Sequence, residues 1–277
     1  MNFFLQIIWN INPVIFHIGG FGLRYYSLMF GLAFFLSYRL LASIFKKENV
    51  PQRLLDKLFL YVFLGTLAGA RLGHTLFYEF GYYKHHLLEI ILPFKIANGH
   101  FELTGYEGLA SHGGAIGILL AVALYCRKYK QSFLWIIDRL VIVVALAGFF
   151  IRIGNFFNSE IIGRPTNLPW SVIFERVDLI PRHPAQLYEA FSYLFIFGVL
   201  WLIYKKKGLH LPKGFLFGLF LVLVFAARFV IEFAKENQEP FEAGLLLNLG
   251  QILSIPFILV GLYFISSRRA IKTRNFL

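Results

Sequence analysis

Hydrophobic positions in this chain come in long unbroken runs, not in the strict alternation of half-buried strands. Apolar windows of about 20 residues, the length that spans the hydrocarbon core of a bilayer, fall near 24–45, 57–78, 111–126, 133–153, 186–204, 214–234 and 248–267. Short polar stretches separate them. The pattern predicts an all-α, polytopic integral membrane protein with about seven transmembrane helices. The window at 111–126 is the shortest, and Leu103 and Leu109 are the residues that could extend it.

Composition agrees with the pattern. The chain is 58% hydrophobic and 15% charged, with 33 Phe, and its mean hydropathy is +0.65. A soluble chain of this length needs more polar residues to cover its surface. Aromatic residues reach 18%, a surplus expected where rings sit at both headgroup levels. The net charge of +12 would suit nucleic acid, but the cations form short clusters between apolar runs, so the expected partner is the lipid bilayer and not nucleic acid. Lys46, Lys47 and Arg53, then Arg127, Lys128 and Lys130, then Lys205, Lys206, Lys207 and Lys213, then Arg268, Arg269, Lys272 and Arg274 follow alternate windows, fourteen in all. The opposite loops hold six: Lys84, Lys95, Arg164, Arg176, Arg182 and Lys235. The positive-inside rule puts the C-terminus in the cytoplasm and the N-terminus outside. Residues 1–277 then form one transmembrane domain with extracytoplasmic loops near 79–110 and 155–183. No Lys or Arg precedes Arg24 and no small-residue cleavage site is present, so the N-terminal stretch is expected to be retained.

The remaining basic residues, Arg24, Arg39, Lys57, Arg71, Arg139, Arg152 and Arg228, lie within or at the ends of the windows. A charge in the hydrocarbon costs roughly 2.5 to 3.5 kcal/mol even on lenient insertion scales, so each needs a partner or a purpose. Arg71, Arg152 and Arg228 all fall toward the outer ends of their helices, as do Tyr25, Tyr26 and His112. Any one of these arginines alone reads as snorkelling or as half of a structural pair. Three at one depth point to an anionic ligand, and a phospholipid phosphate suits the guanidinium fork. Gly65, Gly69 and Gly73 recur at four-residue spacing, which reads as close helix packing. His112, with Gly113 and Gly114, opens a helix after a polar loop, either as a cap or as a general base beside those arginines. Arg228 and Glu232 stand one helical turn apart and can pair. The single cysteine, Cys126, excludes an internal disulfide, a CxxC pair and a cysteine-based zinc site; it reads as packing near a cytoplasmic helix end. Nothing calls for a metal or another cofactor.

Blocks spread over nearly the whole chain resemble the bacterial prolipoprotein diacylglyceryl transferases: RYYSLMF at 24–30, GARLGHTLFYEF at 69–80, SHGGAIG at 111–117, RIGNFFNSEIIGRP at 152–165, RHPAQLYEA at 182–190, RFVIEF at 228–233 and GQILSIP at 250–256. The resemblance implies an inner-membrane enzyme of lipoprotein biosynthesis. Such an enzyme moves the diacylglyceryl group of phosphatidylglycerol onto the lipobox cysteine of a prolipoprotein, makes a thioether, and releases sn-glycerol-1-phosphate. Carried over on matching positions, His112, Arg152 and Arg228 are the implied catalytic residues. Tyr26, Asn155, Asn158, Glu160 and Gly163 are the implied phosphatidylglycerol-binding positions, with Arg164 closing the signature stretch. Arg71 by its depth, Gln186 as a headgroup-orienting amide and Glu232 beside Arg228 are read as joining that binding set. The chain departs from the family pattern at Val224, where a tyrosine is common, at Lys235, where a nearby arginine is common, and in YEGLA before His112.

In the mechanism this implies, the substrate thiol attacks the glyceryl carbon that bears the phosphate ester. His112 takes the thiol proton, and Arg152 and Arg228 stabilise charge on the leaving phosphate. The main rival is a transporter or channel for an anionic or lipid substrate, which would place ionisable groups along the full membrane depth. An intramembrane serine protease using Ser111 and His112 is a weaker rival, because neighbours at a helix start point in different directions.

Overall fold

The structure, a computed structural model, describes residues 7–18, 21–91, 94–97, 100–103, 110–236 and 247–267. Arg268, Arg269, Lys272, Arg274 and Leu109 lie outside the described residues. In chain order the elements are β1 Ile7–Trp9, β2 Val14–Ile18, β3 Phe21–Arg24, α1 Tyr25–Lys47, α2 Gln52–Phe77, α3 Phe80–Tyr83, α4 Leu87–Ile91, β4 Phe94–Ala97, β5 His100–Leu103, α5 Ser111–Tyr129, α6 Phe133–Asn158, β6 Val172–Phe174, β7 Pro181–Arg182, α7 Ala185–Lys207, α8 Phe215–Ile231 and α9 Leu249–Ser266. The long helices fall on the seven predicted windows. Five of them are long and apolar enough to cross a membrane: Tyr25–Lys47, Phe133–Asn158, Ala185–His210, Phe215–Ala234 and Leu249–Ser266. The remaining two are more polar: α2 carries Arg53, Asp56, Lys57 and Arg71, while α5 opens on Ser111-His112 and ends in Arg127 and Lys128.

The all-α expectation needs correcting by several short strands. β1, β6 and β7 form one sheet, in which β1 and β6 run parallel, and β2–β3 and β4–β5 are two-stranded. Strands of two to five residues carry too little period to be read from hydropathy. The chain divides into two compact units, residues 1–44 with 137–277, and residues 45–136.

In the 45–136 unit, α2 and α5 meet backbone to backbone. A Cβ at Gly65, Gly69 or Gly73 would run into Gly113 or Gly117, and the reverse holds, so the glycine repeat is a packing seam. Tyr125 donates to the Leu54 carbonyl at 3.0 Å. Cys126 is buried with a free thiol, as packing predicts. In the other unit α8 packs on α9 through Gly218 and Gly261, and Asp138 of α6 accepts from the free N–H groups of Gly214 (2.7 Å) and Phe217 (2.9 Å) at the start of α8. Leu28, Phe35, Phe191, Phe195, Leu202 and Leu259 are exposed on the spanning helices, the surface that lipid tails cover.

Candidate functional site

α6 runs one turn beyond its predicted end, so RIGNFFN is helical. The helix stops because Ser159 and Ile161 both take positive φ, 57° and 55°. For the β-branched Ile161 this is a strained conformation of the kind held at functional sites. The break folds Glu160 back over the helix end. Its carboxylate accepts from Asn155 (3.1 Å) and Asn158 (2.9 Å), while Gln186, fully buried at the start of α7, donates to the Glu160 carbonyl.

One turn deeper, Arg152 Nη1 donates to Asn155 at 3.1 Å and its Nε lies 2.7 Å from Glu189 Oε2. The contact is close but poorly aligned, since that oxygen makes no formal hydrogen bond. It is an ion pair above all. The other Glu189 oxygen meets Lys235 Nζ at 3.3 Å, and Lys235 reaches Glu232 at 3.0 Å. Glu232 is further seated against Gly250 in the first turn of α9, where a Cβ would collide with the carboxylate. There the free N–H groups and dipole of the helix start favour negative charge. Tyr193, one turn beyond Glu189 on α7, has its hydroxyl beside Arg152 and interacts with Arg228 as well. Arg228 Nε is buried and makes no hydrogen bond. Tyr26 faces Arg152 and Glu160, and its ring lies on Gly154, where a Cβ would stand 2.9 Å from it.

A second layer braces the loops. Gly163 donates to the His183 carbonyl at 3.0 Å and Arg164 N to the Ala234 carbonyl at 2.9 Å. A Cβ at Gly163 would strike both His183 and Ala234. Arg164 Nε donates to the Lys235 carbonyl at 2.7 Å. Arg182 is locked on Asp178 at 2.6 Å and on Glu236 at 3.2 Å, which holds the Asp178 carboxyl below its usual range and the guanidinium above its own. Burial lowers the His183 pKa. Its Nδ1 lies 3.1 Å from the Tyr188 hydroxyl, whose oxygen accepts from Trp170 at 2.8 Å.

The structure therefore joins Tyr26, Arg152, Asn155, Asn158, Glu160, Gln186, Arg228 and Glu232 at one end of the helices of their unit, with Gly163 in the supporting loop. Two expectations are corrected. Glu232 does not pair with Arg228: the helix tightens to a 3₁₀ turn over Glu232–Ala234, which points Glu232 to Lys235 and Gly250. Lys235, read as a loop charge, is buried between two glutamates. In the 45–136 unit, Arg71 is buried on the segment that follows its own helix, donating to the carbonyls of Ile90 (3.1 Å) and Glu89 and covering the Tyr83 ring at 4.9 Å. His112 is exposed in the first turn of α5. Sequence reasoning missed Glu189, Tyr193 and Lys235 as site residues. An acid four residues from a tyrosine in an otherwise apolar helix was the signal for the first two.

Fold and site together define an integral membrane protein that concentrates its buried charge at one end of its apolar helices. The family model for prolipoprotein diacylglyceryl transferase matches residues 13–267. A phosphatidylglycerol--prolipoprotein diacylglyceryl transferase of Bacteroides fragilis is 46% identical over 264 residues, 95% of each chain. One of Tolumonas auensis is 49% identical over 258 residues, covering 93% of this chain and 95% of that protein. One of Chloroherpeton thalassium is 44% identical over 260 residues, covering 94% and 93%. The chain belongs to the prolipoprotein diacylglyceryl transferase family.

Proposed function

We propose that this protein transfers the diacylglyceryl group of phosphatidylglycerol to the lipobox cysteine thiol of prolipoproteins, the first step of lipoprotein maturation. It does so from the bacterial cytoplasmic membrane, with seven spans, the N-terminus outside, the C-terminus in the cytoplasm and the site toward the outer leaflet. The charge asymmetry of the loops supports that orientation. The observation that carries the chemistry is Arg228, a partly buried cation whose buried Nε has no hydrogen-bond partner and which, like Arg152, interacts with Tyr193, in a chain of this family.

The lipid phosphate sits against Arg228 and Arg152. The substrate sulfur attacks the glyceryl carbon, a carbon–sulfur bond forms, and the carbon–oxygen bond to phosphate breaks with its electron pair on oxygen. Charge on the leaving sn-glycerol-1-phosphate rises from one toward two, which fixed guanidinium donors favour over the singly charged ester. His112 takes the thiol proton. Tyr26, Asn155, Asn158 and Glu160 orient the glycerol headgroup, Arg71 orders the 79–91 segment, and no metal or other cofactor takes part. The test is transfer of labelled glyceryl lipid to a lipobox peptide by purified protein in phosphatidylglycerol micelles. Thioether formation supports the reading, and its absence in a folded sample overturns it.

A further inference from the structure

Resting on that reading, a further ligand contact emerges from the facing stripes of α6 and α7. Gly148, Arg152 and Asn155 share one face of α6; Gln186, Glu189 and Tyr193 share one face of α7. Because the two helices run in opposite directions, the stripes meet in layers. Gln186 and Asn155 both bind Glu160 in the outer layer, Glu189 meets Arg152 below it, and the Tyr193 ring lies on Gly148 below that, where a Cβ would stand 3.0 Å from the ring.

The third layer differs from the other two. The outer carboxylate and the middle one are each bound by named side chains. The Tyr193 hydroxyl interacts with two arginines, Arg152 and Arg228, and with the Glu189 carboxylate. A guanidinium only donates, so neither cation can receive the phenolic hydrogen. Arg228 Nε is itself without an acceptor. The acceptor that also faces the Tyr193 hydroxyl, Glu189, is already paired with Arg152 and Lys235. A phosphate oxygen supplies the acceptor that Arg228 Nε lacks and a second acceptor for the phenol.

We propose that Tyr193 is a substrate-contacting residue, whose hydroxyl donates a hydrogen bond to the phosphate held by Arg152 and Arg228. No proton is transferred in this contact; the bond strengthens as the phosphate takes up the electron pair of the breaking carbon–oxygen bond. The glycine at 148 provides the room for the ring to reach that position.

Tyr193→Phe keeps the ring on Gly148 and removes only the donor. The expected result is unchanged thermal unfolding, kcat for phosphatidylglycerol transfer lowered by about tenfold to a hundredfold, the loss of one hydrogen bond to a charged group, and KM changed much less. Inhibition by added sn-glycerol-1-phosphate distinguishes the source of the phosphate. Weaker inhibition in the variant extends the contact to the free product, and equal inhibition with lowered kcat confines it to the lipid ester. A second variant, Gly148→Ala, displaces the ring and should lower kcat in the parent but add little to Tyr193→Phe. Wild-type kcat in Tyr193→Phe, or fully additive losses in the double variant, overturns the assignment. If the parent enzyme itself transfers no lipid, the functional reading fails instead.

Discussion

Glu189 holds Arg152 at 2.7 Å and, through its other oxygen, Lys235 at 3.3 Å. One buried carboxylate on α7 thus fixes a cation of the signature helix and a cation beyond the end of α8. Removing one member of a buried ion pair strands its partner, at a cost of about 3–5 kcal/mol. Glu189→Gln should therefore lower the unfolding temperature markedly and abolish transfer. Adding Lys235→Met to it removes one stranded cation and should recover part of the stability but not the turnover, as thermal unfolding and transfer assays would report. A Glu189→Gln protein with parental unfolding temperature contradicts this.

The hydropathy pattern made the long helices legible, because runs such as LVIVVALAG, which begins at Leu140, admit no other environment in a chain this apolar. The signature cluster at Arg152, Asn155, Asn158 and Glu160 was legible as well, since four polar residues close an apolar run. What the sequence hides is direction. Lys235 sits in a polar stretch and reads as a loop charge until the 3₁₀ turn at Glu232 carries it inward, and the same turn defeats the helical pairing of Arg228 with Glu232. The strand Ile7–Trp9 finds its partner at Val172–Phe174, far along the chain and without a local signal.

Glycine replacements separate tight from open positions. Gly250→Ala should destabilise by about 1–3 kcal/mol, the usual cost of overpacking, because the new Cβ meets the Glu232 carboxylate. Gly198→Ala, in a helical site with nothing within 4 Å, should be neutral or slightly stabilising. Unfolding temperatures of the two purified variants decide it, and equal values would contradict the packing described at Gly250.

His183 gives the protein a pH dependence of known sign. Burial favours its neutral form, so the unfolded chain binds a proton more readily than the folded one. Stability from this group is complete above the unfolded histidine pKa of about 6.5 and is lost as pH falls below it. Unfolding midpoints measured from pH 8 to pH 5 should decline, and His183→Gln should flatten part of that decline. An identical slope in the variant would remove His183 from the account.

The proposed orientation in the membrane rests on the loop charges. A reporter fused after Lys207 is predicted to behave as cytoplasmic and one placed near Lys84 as external. The opposite pair of results would move the site to the wrong leaflet for an exported substrate.

Labelled diacylglyceryl transfer by Arg152→Lys and Arg228→Lys tests the phosphate clamp most directly. Lysine keeps the charge but cannot donate in two prongs, and at position 152 it cannot serve Glu189 and Asn155 together as the guanidinium does. Both variants should insert and fold, yet lose at least about tenfold in turnover, the equivalent of roughly 1.4 kcal/mol, with alanine worse at each position. Arg139→Lys, at a buried position near the opposite end of the same helix, should cost stability more than turnover. Full activity in both lysine variants, or a greater loss of turnover in Arg139→Lys, would contradict the account.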